Sequence, residues 1–343
     1  MISFESDYNN GAHPKVLQRL IDTNDEQTLS YGFDRFSDEA KEKIKAACGD
    51  PDAEVFFLVG GTQTNATVID SLLHCYEGVV AVDSAHINMH EAGAIEATGH
   101  KQMNIRGKDG KMQAVVLQQF MEEFLGDGNA MHSVYPKLAY ITFPTELGTL
   151  YSAEELSALY DVCQRYNMIL YIDGARMGYG LQAEGCDMDL KFIADHCDAF
   201  YIGGTKVGAL CGEAVVFTHA NANKHFFTII KQHGALAAKG RLLGVQFDAL
   251  FTNNLYFDIS RHAIDMAMKM KQLFKRKGYN FYIDSPTNQQ FVIVSDEEAA
   301  RLDSLVRSTL WAKLPDNRRI LRFVTSWATR EEDLKELERA LQL

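Results

Sequence analysis

The stretch DAFYIGGTKVGAL, Asp198–Leu210, runs apolar into two glycines and then a lysine. Lysine is among the residues least often buried without a partner. One reading of Lys206 is a surface turn with a solvated ammonium. The other depends on what the chain places beside it. Upstream, MILYIDGARMGYG (168–180) ends a second apolar run on Asp173, with Arg176 just beyond. One helical pattern, DMDLKFIADHC (187–197), separates the two runs, so Asp173 and Lys206 are expected at the same edge of neighbouring strands.

Further out, the same alternation continues. EVFFLV (54–59), GVVAVD (78–83), KLAYITF (137–143) and EAVVF (213–217) read as strands. TNATVIDSLLHCY follows the first as a helix. SAEELSALYDVCQRY follows the third, with Ser152 and Glu155 spaced as a capping box. Strands alternating with helices predict βαβ units, an α/β fold with a mostly parallel sheet flanked by helices. Near Asn253–Asn254 the pattern changes. A long amphipathic helix, ISRHAIDMAMKMKQLFKRKG, carries Met266, Met270 and Phe274 at helical spacing, a stripe read as core packing. The shorter runs NFYI, QQFVIV and RILRFVTS and a last helix, REEDLKELERAL, complete an α+β unit. The expected division is a large domain over 1–252, N-terminal segment included, and a small C-terminal α+β domain over 253–343.

Of the 343 residues 46% are hydrophobic, enough for a large core. The formal net charge of −12 argues against nucleic acid as a partner, because phosphate binding needs a basic face. No apolar run is long enough for a membrane span, and MISFESDYNN lacks the basic-then-apolar layout of a signal peptide. Six cysteines without C-x-x-C spacing read as reduced thiols of a cytoplasmic protein, with no zinc site.

Ligands of open α/β sheets gather beyond the carboxyl ends of the strands. Four strand ends carry unusual residues here. FFLVGGTQTN enters a helix through Gly60, Gly61 and Thr62; this is either a plain corner or a set of backbone N–H groups able to hold a phosphate. His86, just past another strand end, is a core residue, a surface residue or a platform for a flat ring. Asp173 either pairs internally with Arg176 or faces a cationic ligand atom, since an ionised carboxylate needs a partner when buried. Lys206 is the fourth. An amine, an acid and a phosphate corner at one sheet edge meet the three needs of pyridoxal 5′-phosphate: a Schiff-base partner, a carboxylate for the pyridine nitrogen and a phosphate cup.

With those residues in place, the chain resembles the threonine aldolase and β-eliminating lyase family, pyridoxal-phosphate enzymes of the aspartate-aminotransferase-like fold. The resemblance lies in FESDYNNGAHP, YGFD, GGTQTN, AHINMHEAGA and IDGAR, in that order, with the lysine following. It implies that Lys206 carries the cofactor as a Schiff base, Asp173 bonds the pyridine nitrogen, His86 stacks on the ring, and Gly61 and Thr62 hold the phosphate. It also implies that Ser6, Arg176 and Arg322 bind the amino-acid carboxylate. Arg241 would reach a neighbouring subunit's site and Tyr31 would line a pocket across an interface, in a homodimer or homotetramer with shared sites. The expected reaction cleaves a β-hydroxy-α-amino acid to glycine and an aldehyde; β-elimination or transamination is the alternative. Two departures stand out. GTKVG replaces the S-K-G common around the lysine, and TELG (145–148) replaces T-H-N-G. Glu146 therefore stands where a histidine is often placed, which resembles a phenylserine-aldolase-like branch. Glu146, His86 and a water are the candidate bases.

Overall fold

The computed structural model describes residues 2–342. Seven strands form the main sheet: β2 (Glu54–Leu58), β3 (Glu77–Val82), β4 (Gln102–Ile105), β5 (Tyr135–Thr142), β6 (Ile169–Asp173), β7 (Ala199–Gly203) and β8 (Glu213–Phe217), after a short β1 (Ile2–Ser3). Their spatial order is β2-β8-β7-β6-β5-β3-β4. β3, β6, β7 and β8 have almost no exposed residue, because helices cover both faces, and their sequences are accordingly near-continuous apolar runs. β3 through β7 run parallel, while β8 is antiparallel to both β7 and β2. A loop with no helix joins β7 to β8, too short for a crossover, so the chain must turn back on itself.

The helix Ala153–Arg165 starts at the Ser152–Glu155 capping box that the sequence predicts. The helix after β2 begins earlier than read, at Gly61, so Gly61 and Thr62 lie in its first turn rather than in a preceding corner. Helices Pro14–Asp22, Arg35–Cys48 and Arg241–Leu250 pack together beside the sheet and form a layer absent from the sequence reading.

After left-handed residues at Asn253 and Asn254, helix Leu255–Arg276 leads to a four-stranded antiparallel sheet. Its strands are β9 (Asn280–Phe281), β10 (Gln289–Ser295), β12 (Thr309–Leu314) and β13 (Arg318–Val324), in the order β12-β13-β10-β9. Met266, Met270 and Phe274 are buried in this second core, as their spacing predicts. Phe4 is buried there too, and β1 pairs in parallel with β11 (Val306–Arg307). The chain's first residues thus pack with the C-terminal unit, although the sequence boundary groups them with the large one. A two-residue strand has no periodicity to read, and its partner is remote in sequence.

Candidate active site

Asp173 ends β6, and its carboxylate is buried beneath the sheet edge. Oδ2 accepts from the Tyr140 hydroxyl at 2.6 Å and Asn65 Nδ2 at 2.9 Å; Oδ1 accepts from the Ala175 N–H at 3.0 Å. Burial alone would raise its pKa. The charge of His86 and hydrogen bonds from Tyr140, Tyr201 and Asn65 outweigh that and hold it below the usual carboxylate value. The group is therefore a fixed anion at neutral pH. Arg176 does not pair with it, as one sequence reading had it.

Asn65 also donates to Glu91 Oε1 at 2.7 Å, and His86 Nδ1 meets the same oxygen at 2.6 Å. Tyr171 donates its hydroxyl to Asn65 Oδ1 at 3.0 Å. One ring nitrogen or carboxylate oxygen from each of His86, Glu91 and Asp173 lies within 4.8 Å of the others. Burial pulls the His86 ring down. The bond to Glu91, with the charges of Glu146 and Asp173, more than restores it, so it protonates above its ordinary value. Glu91 thus fixes the ring's orientation from beneath and leaves Nε2 for the cleft.

The lysine turn is pressed against the Asp173 turn, and glycine makes that approach possible. A Cβ on Gly203 would lie 2.2 Å from the Ala175 carbonyl oxygen, and one on Gly204 would lie 2.7 Å from that of Gly212. The Gly203 N–H donates to Gly174 O at 2.9 Å, locking the two turns together. Lys206 follows, partly buried, its Nζ 5.8 Å from the centroid of the Tyr8 ring and without a hydrogen-bond acceptor among the described residues. Burial and the neighbouring Arg176 lower its pKa, opposed by Asp7, Glu146 and Asp173. A lysine poised this way releases its proton readily and becomes nucleophilic.

The third element is the start of helix Gly61–Leu72. Its cap, Gly60, has no side chain to accept from the first turn. The N–H groups of Gly61, Thr62 and Gln63 find no acceptor among the described residues, and buried Gln63 Oε1 and Thr64 Oγ1 are also unpartnered. Open N–H groups at a helix start favour an anion.

A chain whose Asp-Gly-Ala-Arg turn, lysine turn and open helix start meet at one sheet edge can be compared with known proteins. A sequence profile described as β-eliminating lyase matches residues 4–296. The chain belongs to the β-eliminating lyase family. The low-specificity L-threonine aldolase of Pseudomonas sp. (strain NCIMB 10558) is 27% identical over 339 residues, covering 97% of this chain and 95% of that one. The solved structure of Leishmania major threonine aldolase superposes with a TM-score of 0.96 at 36% identity, covering 100% of this chain and 99% of the other. An aspartate aminotransferase mutant from Thermus thermophilus has a TM-score of 0.69 at 15% identity, which shows the fold alone. Threonine aldolases and β-eliminating lyases of this fold use pyridoxal 5′-phosphate. The residues present fit that group: an unengaged amine, an open set of N–H groups and a permanent anion.

Beyond this core, the lyase-family chain carries two neighbouring arginines, Arg176 and Arg322. Arg176 is buried and held by Asp7 through two hydrogen bonds, Nε to Oδ2 at 2.7 Å and Nη2 to Oδ1 at 3.0 Å. Asn288 braces the same carboxylate at 2.9 Å. Asp7 thereby orients Arg176 and leaves Nη1 unengaged among the described residues. Among the described residues Arg322, on β13, makes only long contacts of 3.3–3.5 Å to Gln289, Glu5 and Thr309 and its buried Nε has no acceptor; the Trp311 ring centroid lies 5.4 Å from its guanidinium carbon. Burial and the proximity of Arg176 lower its pKa. Such an under-satisfied guanidinium suits a carboxylate. Ser6 bonds Asn9 at 2.7 Å. Glu146 is buried without a hydrogen bond among the described residues, yet its charge acts on His86, His90, Lys206, Arg176 and Arg322.

Tyr31 and Arg241 lie away from this cluster. Tyr31 donates its N–H to Ala238 O at 2.9 Å, and Arg241 donates to the carbonyls of Thr23 and Glu26. Sequence reasoning missed Asn65, Glu91, Tyr140, Tyr171 and Asp7. Tyrosines inside buried strands, whose hydroxyls need partners, were the available signal.

Proposed function

We propose that this protein cleaves β-hydroxy-α-amino acids to glycine and an aldehyde, with Lys206 as the residue that takes up pyridoxal 5′-phosphate. The observation that supports it best is the meeting of Lys206 and the fixed anion of Asp173 at one sheet edge, with Arg176 close by and Arg322 brought up from the C-terminal sheet, in a chain whose relatives bear the name threonine aldolase.

Bound there, the cofactor supplies an electron-poor ring that accepts an electron pair from the substrate's Cα. The protein's own groups do the rest. Asp173 keeps a negative charge where that ring's nitrogen has to stay protonated, so its effect grows in the transition state. His86, propped by Glu91, packs its ring against the cofactor. Gly61 and Thr62 hold the phosphate on N–H groups that nothing else uses. Arg322, with Arg176 Nη1 and Ser6, grips the substrate carboxylate and so fixes which Cα bond can break. Glu146 receives the β-hydroxyl proton, because it is the buried carboxylate near Arg176 and Lys206 that has no other partner.

Tyr31 and Arg241 support a site completed by a second copy of the chain. Tyr31 lines one surface cleft with Phe33 and Phe227, which are 56% and 39% exposed, and Arg241 directly follows Gly240 of the same lining. An apolar face of this kind, next to unassigned site residues, favours a homodimer or a tetramer built from it.

The test is a product assay with threonine, allo-threonine, phenylserine and serine. Glycine and the matching aldehyde are expected from the first three. Ammonia and a keto acid in place of glycine would replace this reading with β-elimination or transamination.

A further inference from the structure

Glu213 has no part in the reaction above, yet it is 4% exposed and stands beside the machinery. It opens β8, where the register sets it opposite Gly203 on one side and Leu58 on the other. One neighbour strand leads into the lysine turn, the other into the phosphate-binding helix start. Its Oε2 accepts the Gly204 N–H at 3.0 Å, two residues before Lys206. We propose that Glu213 is a proton-coupled gate on cofactor binding: it faces the cofactor phosphate as a neutral carboxylic acid and takes a proton from solvent as the phosphate arrives. The proposal rests on the assignment of Lys206 and the Gly61–Thr62 turn as the cofactor's attachment points.

The argument is one of charge. The groups that face Glu213 are Thr205 and Lys206 on the turn, Cys211 on the loop, Asp173 and Tyr171 on β6, Tyr201 on β7 and Tyr256 on helix Leu255–Arg276. Lys206 is the cation of this set and Asp173 a fixed anion. Burial already pushes the Glu213 carboxyl up to about 8, with Thr205, Lys206 and the Gly204 N–H opposing the rise. A phosphate dianion at the helix start adds negative charge beside it, and use of the Lys206 amine removes its favourable neighbour. Both changes raise the carboxyl further. The only bond formed is O–H. A protonated acid can then donate to a phosphate oxygen, where an ionised one would repel it.

The sign follows by linkage. Below the free carboxyl's value of about 8 the acid is protonated with or without cofactor, so no proton is exchanged. Above it, binding takes up to one proton, and affinity falls by about tenfold per pH unit. In E213Q the amide is neutral throughout, keeps an oxygen for the Gly204 N–H and offers N–H to phosphate.

The experiment is calorimetric titration of the apoprotein with pyridoxal 5′-phosphate, at pH 6.5 and pH 9, in pairs of buffers differing in ionisation enthalpy. At pH 9 wild type should take up about one proton more than E213Q, and at pH 6.5 the counts should agree. With pyridoxal, which uses the Lys206 amine but lacks the phosphate, the wild-type excess should shrink to the part that Lys206 alone causes. Equal counts at pH 9, or an excess as large with pyridoxal as with pyridoxal 5′-phosphate, overturns the proposal while leaving the cofactor site intact. A protein that binds no pyridoxal 5′-phosphate overturns the underlying assignment and Glu213 with it. Should E213Q not fold, the wild-type contrast between pyridoxal 5′-phosphate and pyridoxal at pH 9 decides alone.

Discussion

Asp173→Asn isolates a charge while nearly preserving a shape. The hydrogen bonds to the carboxylate include those on Oδ2 from Tyr140 and Asn65 and one on Oδ1 from Ala175. If the new amide oxygen takes the Oδ2 position, its NH2 group faces the Ala175 N–H, and one buried donor loses its acceptor. That costs about 1–3 kcal/mol of folding stability. The catalytic cost is separate. An anion aimed at charge that must persist through the transition state is worth about 3–4 kcal/mol, a factor of about 10² to 10³ in kcat. Binding of substrate and cofactor should change far less, because the charge matters most as electrons leave Cα. The assay is glycine release from phenylserine or threonine under saturating substrate, with thermal unfolding of the apoprotein as a control. A D173N protein that folds, binds cofactor and keeps the full cleavage rate would refute the role given to Asp173.

Arg322→Ala should raise KM for the amino acid about 10- to 100-fold, the worth of hydrogen bonds to a charged partner, with a smaller change in kcat; steady-state kinetics on one substrate checks it. Glu91→Gln should lower the pKa of His86, whose elevated value depends on that carboxylate, and NMR titration of the ring reads the shift directly. Because the folded His86 pKa lies above its unfolded value of 6.5, its contribution to stability is complete below that value and is lost as pH rises through the folded one. The pH dependence of unfolding near neutrality should therefore be flatter in E91Q. E213Q should match wild type in cofactor affinity at pH 6.5 and exceed it at pH 9.

Asp173 and Lys206 stand out because each follows an apolar run; two short helices, Met177–Gln182 and Leu190–Asp195, lie between the runs where the sequence shows one, and the two strands are neighbours all the same. The capping box at Ser152 and the Met266–Met270–Phe274 stripe were legible for a similar reason: both are local patterns, complete within a few residues. What holds Asp173 in place was not. Asn65 and Tyr140 reach Asp173 from two other segments, and Glu91, from a third, holds Asn65; only the folded sheet edge brings these contacts within 3 Å. Arg176 is the clearest case. Its partner, Asp7, lies near the start of the chain, whereas the sequence offered Asp173 three residues away. Strand β12 has few buried positions and no clean alternation, so its Trp311, beside Arg322, gave no signal. The antiparallel course of β8 was not read from the sequence, and that reversal is what sets Glu213 opposite Gly203 and Leu58.

The central claim is that the amine of Lys206 is the cofactor's point of attachment. Reduction of the cofactor-loaded protein with borohydride, followed by proteolysis and mass spectrometry, tests it directly. The account predicts one phosphopyridoxyl group per chain, on the peptide carrying Gly203-Gly204-Thr205-Lys206. A label on another lysine, or none on a protein that nonetheless cleaves the substrate, would contradict it.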